Sequence, residues 1–192
     1  MSNIVTAKRP RKIQEAWKAA IDDYGYRWIV LRGGRGSAKS WGIAEIIIIL
    51  MVQGYENVLC ARYQKNKTDA SVHKIFQSTI KRLGLTDYFT ITNNYIRCDY
   101  NGSEINYIGL AVNADEIKSY EGFTIGWVEE ARVVPKKTLF DIYPPTVRAG
   151  RGLIFASYNP EQKDDPIHKH IEEGKLSDSV VIDVNWWDNP IW

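Results

Sequence analysis

One short stretch combines the residue types that can hold an anionic group: Gly33, Gly34, Arg35, Gly36, Ser37, Ala38, Lys39 and Ser40, in that order. Glycines let successive backbone N–H groups wrap a phosphate, a lysine reaches the outer phosphates, and a serine hydroxyl can join the coordination of Mg2+. The pattern is a Walker A loop, G-x-x-x-x-G-K-[ST], with Ala38 where the usual pattern has its second glycine. A methyl group there calls for a negative φ at Ala38. Arg35 either reaches a terminal phosphate or is solvated at the crest of the loop. Farther along, the apolar run from Phe123 to Val128 delivers Glu129 and Glu130 at its end, as a Walker B strand does. The first acid would support the metal, although an aspartate is usual there, and the second would polarise an attacking water. ATP and Mg2+ are the ligands these two motifs imply.

Both motifs need strands that end together. Residues 26–31 form a β-rich run ahead of the glycine turn, and an apolar helix follows from Ser40 to Gln53, closed by Gly54. Residues 57–61 read as a second buried strand, followed by a helix over 69–83 with Val72, Ile75, Phe76, Ile80 and Leu83 on one face. From Tyr88 to Gly109 the pattern alternates between Asn-rich turns, which predicts an antiparallel meander beside a parallel sheet. Further strands are expected at 123–128, 152–157 and 180–184, with helical pieces at 137–143 and 167–173. An amphipathic helix over 13–21 precedes them, behind a loose basic start over residues 1–12. This alternation predicts an α/β fold, a three-layer sandwich with a mainly parallel central sheet and right-handed crossovers.

Composition narrows the function classes. A chain of 192 residues with 44% hydrophobic and 12% aromatic side chains can build one domain without disulfides or structural metal. Cys60 and Cys98 lie in apolar runs and read as buried thiols of a reducing compartment. The longest apolar run, residues 43–52, contains Glu45 and is too short to cross a bilayer, so no membrane partner is expected. A net charge of +2, from 25 basic and 23 acidic side chains, is not the footprint of a dedicated nucleic-acid binder. DNA contact would need a local patch, such as Arg62, Lys65, Lys67, Lys74, Lys81 and Arg82, or Lys136 with Lys137. His168 and His170 diverge at i, i+2 on a helix and read as surface residues. The tryptophans read as core and interface.

Several segments together resemble the N-terminal ATPase domain of the large terminase subunit of tailed bacteriophages: Arg32–Ser40, Val58–Arg62, Ile117–Gly122 leading into Trp127–Ala131, Pro145–Arg148, Ala156–Pro160 and Trp187–Pro190. The resemblance implies a P-loop NTPase of the ASCE, RecA-like kind, with ATP hydrolysis driving double-stranded viral DNA into a procapsid. It implies that Glu130 and Lys39 are catalytic and that Gln14 contacts adenine, unless Gln14 is merely exposed. It also implies that Ser157 and Asn159 sense the terminal phosphate, unless they only build an Asn-Pro turn. Arg148 resembles an arginine offered in trans to a neighbouring subunit's ATP, with Arg151 as its substitute. The implied partners are a homo-oligomeric ring, the portal of the procapsid and a small terminase subunit, in the host cytoplasm. Residues 185–192 would begin a linker to a nuclease domain, so no DNA cleavage is expected of this chain. Two other readings stay open: a helicase-like nucleic-acid motor, and a nucleotide-binding assembly module that does not hydrolyse.

Overall fold

The computed structural model describes residues 10–189 except for positions 24 and 113, and leaves out the side chains of residues 65–70. Its centre is an eight-stranded sheet: β1 (Trp28–Arg32), β2 (Asn57–Arg62), β3 (Phe89–Ile91), β4 (Ile96–Cys98), β5 (Glu104–Gly109), β6 (Ile125–Glu129), β7 (Leu153–Tyr158) and β8 (Ser179–Asp183). The spatial order is β3-β4-β5-β2-β6-β7-β1-β8, parallel from β5 to β8, with β3 and β4 antiparallel. The expected antiparallel meander is present as β3-β4-β5, and its third strand, β5, also pairs in parallel with β2, so the meander extends the main sheet. The central strands β2, β6 and β7 are buried on both faces and read as near-continuous apolar runs, as strands inside a parallel sheet do.

Alternate side chains of each strand enter two cores. One core, around Leu31, Cys60, Trp127 and Phe155, is covered by α1 (Arg11–Ile21), α2 (Lys39–Gln53) and α3 (Lys65–Arg82). The other, around Val30, Leu59, Val128 and Ala156, is covered by the short α4 (Ala114–Lys118) and α5 (Pro166–Glu172) and by the segment from Ala131 to Val147. Isoleucines 43 and 46–48 of α2 are fully enclosed, Ile49 nearly so, and the helix is apolar almost all round. At Gly42 a Cβ would stand 2.7 Å from two atoms of Ile13, so the glycine is what lets α1 lie directly on α2.

Several local expectations are corrected. Helix α1 starts at Arg11, inside the stretch expected to be loose, and residues 1–9 lie outside the described ones. The piece after Lys137 is a π-helix, Thr138–Ile142, and its neighbour Tyr143 is fully buried with its hydroxyl donating to Leu59 O at 2.6 Å. His168 and His170 are not plain surface residues: His168 meets the Tyr158 hydroxyl at 3.2 Å and His170 stacks on Phe140. Of the tryptophans, read as core and interface, Trp28 and Trp127 are core, whereas Trp41, Trp186 and Trp187 are exposed. Cys60 and Cys98 are buried and unpaired, as expected. Among the described residues no helix is long and apolar enough to cross a membrane.

Candidate nucleotide site

The strands β1, β6, β7 and β2 end together, and the candidate residues emerge from those carboxyl ends around a cavity of about 710 Å3. Its wall includes Arg35, Gly36, Ser37, Ala38, Lys39 and Ser40 from the loop after β1, Glu129 and Glu130 after β6, and Ser157 and Asn159 after β7. Carboxyl ends of parallel strands are where open α/β sheets place ligands. Residues that are far apart in the chain meet there because register does it. Glu129 lies opposite Ser157, and Ala61 opposite Val128, so Arg62 and Glu129 leave adjacent strands side by side.

The loop itself wraps tightly. Gly33 has φ 146° and Gly36 φ 75°, values that only glycine adopts without strain. Lys39 folds back over the loop, its ammonium 2.8 Å from Gly33 O, 2.8 Å from Gly34 O, 2.8 Å from Ser37 Oγ and 2.9 Å from Asn159 Oδ1. Burial pulls the Lys39 ammonium down to about 8, against the opposing pull of the Glu129 charge. No side chain caps the first turn of α2, so its leading amides and the helix dipole face the loop's interior, the arrangement that binds an anion. Ala38 overturns the expectation of a negative φ. It sits at φ 63°, ψ 16°, because the chain must reverse there to enter α2, at a cost of about 1–2 kcal/mol for an L-residue.

The acids meet a partner that the motifs did not anticipate. Arg62 Nε stands 3.2 Å from Glu129 Oε2 and donates to Glu130 Oε2 at 3.1 Å, while a second guanidinium nitrogen pairs with Glu130 Oε1. Its other arm donates to Ser71 Oγ at 3.0 Å. Burial lowers the Arg62 pKa, but the Glu130 hydrogen bond and the charges of both glutamates outweigh it and hold it above the ordinary value. Glu129 is raised, chiefly by burial, with Arg62 opposing. Glu130 has φ 53°, ψ 44°, a second left-handed non-glycine residue within the site. Arg62 was expected only in a basic surface patch. The signal that could have found it is an arginine at the carboxyl end of a fully apolar strand, the position that the acids hold on β6.

A divalent cation fits part of this wall. Ser40 Oγ lies 3.4 Å from Glu129 Oε1, two hard oxygen ligands of the kind that Mg2+ takes together with phosphate oxygens and water. Among the described residues no group of three or more His, Cys, Asp or Glu could hold a metal alone. Asn159 joins the loop through Lys39, whereas the Ser157 hydroxyl accepts from the Trp127 indole at 3.1 Å and is nearly fully buried.

Other expected residues stand elsewhere. Gln14 is exposed on α1, and that end of the chain contributes Pro10 and Ile13 to the cavity instead. Arg35 is exposed at the loop crest and lines the cavity. Arg148 precedes β7 at the opposite, amino-terminal end of the sheet, in an exposed pair with Glu121 at 3.4 Å. Arg151 is poorly suited as its substitute: its guanidinium donates to Ala19 O at 3.0 Å, Tyr26 O at 3.2 Å and also to Ala20 O and Asp23 O, closing the end of α1. In the expected basic patch, Arg82 is drawn to Glu45 at 2.7 Å, and the side chains of Lys65 and Lys67 lie outside the described residues.

The chain is 29% identical over 170 residues to the terminase large subunit of Bacillus phage SPP1, and 29% identical over 119 residues to the PBSX phage terminase large subunit of Bacillus subtilis. It spans 39% and 27% of the length of those relatives. Among solved structures, the large terminase of a thermophilic bacteriophage in complex with ATP-gamma-S superposes with a TM-score of 0.74 at 9% identity, over 96% of this chain and 47% of that one. The N-terminal domain of the DNA packaging ATPase from bacteriophage phi29 gives 0.64 at 16% identity, over 91% of this chain and 94% of that one. The chain thus shares the fold of these two structures, a three-layer α/β sandwich around a mainly parallel sheet. Residues 26–192 match the family described as phage terminase large subunit, and the chain belongs to that family.

Proposed function

We propose that this chain is the motor domain of a DNA-packaging terminase, binding Mg-ATP in the loop from Gly33 to Ser40 and hydrolysing it with Glu130. The observation that carries the reading is the convergence of Lys39, Ser40, Glu129, Glu130 and Asn159 on one cavity at the carboxyl ends of adjoining strands. The loop amides and the α2 dipole hold the phosphates, and Lys39 exchanges its carbonyl partners for phosphate oxygens. Ser40 would hold Mg2+ with support from Glu129, and the ion would supply neutralisation of phosphate charge there. Glu130 orients a water in line with the terminal phosphate and accepts its proton. Asn159, already in contact with Lys39, relays the state of that phosphate to β7. Arg148 serves a neighbouring copy in a ring, because its place at the far end of the sheet keeps it from its own site. Double-stranded DNA, the portal and the small subunit are the partners of the whole protein in the host cytoplasm.

The test is Glu130→Gln. Binding of ADP and ATP-γ-S should stay within about threefold of the parent, while phosphate release falls by about 100-fold or more, the usual worth of a positioned general base. An unchanged rate removes Glu130 from the chemistry. The reading as a non-hydrolysing binding module draws on one observation, the engagement of Glu130 by Arg62. It predicts binding with no phosphate release by the parent protein at any protein concentration.

A further inference from the structure

The chain does not leave the site after β8. Val184 N donates to Arg32 O at 2.8 Å, and a Cβ added to Gly33 would fall on the Val184 carbonyl group. The next residues form a single 3-10 turn, Trp186–Asp188, in which Asp188 N donates to Asn185 O at 3.0 Å, and a capping box closes it, with Asn185 N donating to Asp188 Oδ2 at 2.8 Å. Asn189 N then donates to Trp186 O at 3.1 Å. This turn aims the nearly buried Asn189 side chain at the phosphate loop, where Nδ2 donates to Gly36 O at 3.1 Å.

Two facts give that contact a purpose. In a trans peptide the carbonyl and the following N–H point in opposite directions. Drawing the Gly36 carbonyl toward Asn189 therefore turns the Ser37 N–H away from it. Second, the other loop carbonyls that a side-chain nitrogen holds, those of Gly33 and Gly34, are held by Lys39. An ammonium has three donors and Lys39 already faces four acceptors, so gripping a phosphate makes it release some of them. The Asn189 bond makes no such demand and can persist when a ligand enters.

We propose that Asn189 is a positioning residue of the nucleotide site: through Gly36 it keeps the loop in its anion-binding shape once Lys39 has turned to the phosphate. The proposal rests on the reading of the loop as a nucleotide site. Its corollary is reciprocal, since whatever displaces the turn after β8 weakens nucleotide binding, and nucleotide binding steadies that turn.

The test compares the parent with Asn189→Ala, Asn189→Asp and Asp188→Ala by titration calorimetry with ADP, steady-state turnover and apo melting temperature. The expected result is a dissociation constant and KM about three- to tenfold higher in the Asn189 variants, the worth of one neutral hydrogen bond, with kcat within about twofold. Asn189→Asp, equal in shape but facing the Gly36 carbonyl with oxygen in place of the N–H donor, should bind no better than Asn189→Ala. Asp188→Ala opens the capping box with Asn189 in place and should weaken binding in the same direction. Parent-like affinity in the Asn189 variants overturns the proposal, as does a lowered melting temperature with unchanged KM. Should Asn189→Asp fail to fold, Asn189→Ala and Asp188→Ala decide the matter by the same criteria. If the parent itself binds ADP no better than Lys39→Ala, the nucleotide reading of the loop fails first and takes this proposal with it.

Discussion

Burial holds Lys39 near 8, and the Glu129 carboxylate opposes that shift only in part. A lysine whose folded pKa lies below its unfolded value of 10.5 opposes folding while charged. That penalty stands below about pH 8 and is relieved as pH rises from there toward 10.5. Ligand binding runs the other way, because a phosphate needs the charged form and raises the lysine's pKa on binding. ADP affinity should therefore fall above about pH 8, by at most about tenfold per pH unit, with a proton taken up on binding. Titrations from roughly pH 7 to 9.5 check this, and a Lys39→Met variant should show a flat profile over the same range. Ala38 offers a second prediction at this scale. Ala38→Gly removes a left-handed alanine and should raise stability by about 0.5–1 kcal/mol, read from urea denaturation midpoints. Loop residues such as Lys39 and Ser40 were legible because their chemistry is local and their spacing is fixed by one turn. Arg62, the Lys39 to Asn159 contact and the sign of φ at Ala38 were not. The first two depend on which strands lie adjacent, and the last on how the chain re-enters a helix.

Elements were read well wherever burial sets the period. Strands β2, β6 and β7 and helix α2 are enclosed, so their apolar runs left little choice. The segment after Val134 was harder. Next to its π-helix, Tyr143 reaches Leu59 O through the gap left by Gly126, where a Cβ would lie 2.8 Å from the Tyr143 hydroxyl. No local pattern announces a contact between residues so distant in the chain. Helix α1 depends on a similar close approach at Gly42. Gly42→Ala should therefore cost about 1–3 kcal/mol by forcing Ile13 aside, and it should lower the melting temperature by several degrees. Loss of the α1 contact would also disturb the cavity wall at Pro10 and Ile13, so nucleotide affinity should fall along with stability.

At the scale of the molecule, the sheet separates two ends. The cavity-lining residues of the candidate site occupy one, and Arg148, with Glu121, the other. If Arg148 completes a neighbour's site, turnover per subunit should rise steeply with protein concentration. Arg148→Ala should abolish that rise while leaving ADP binding unchanged, and a concentration series of phosphate release decides it. The packing of α2 bears on how such a machine could move. Its isoleucines are enclosed by the sheet beneath and by α1 and α3 on either side, so the floor under the candidate phosphate loop is an anvil. The proposed hydrolysis would then leave that floor in place and shift the rim, the bend at Glu130 and the chain beyond β8. Hydrogen exchange should find the amides of α2 among the slowest in the protein, indifferent to whether ADP or a triphosphate analogue is bound, while protection changes gather at that rim.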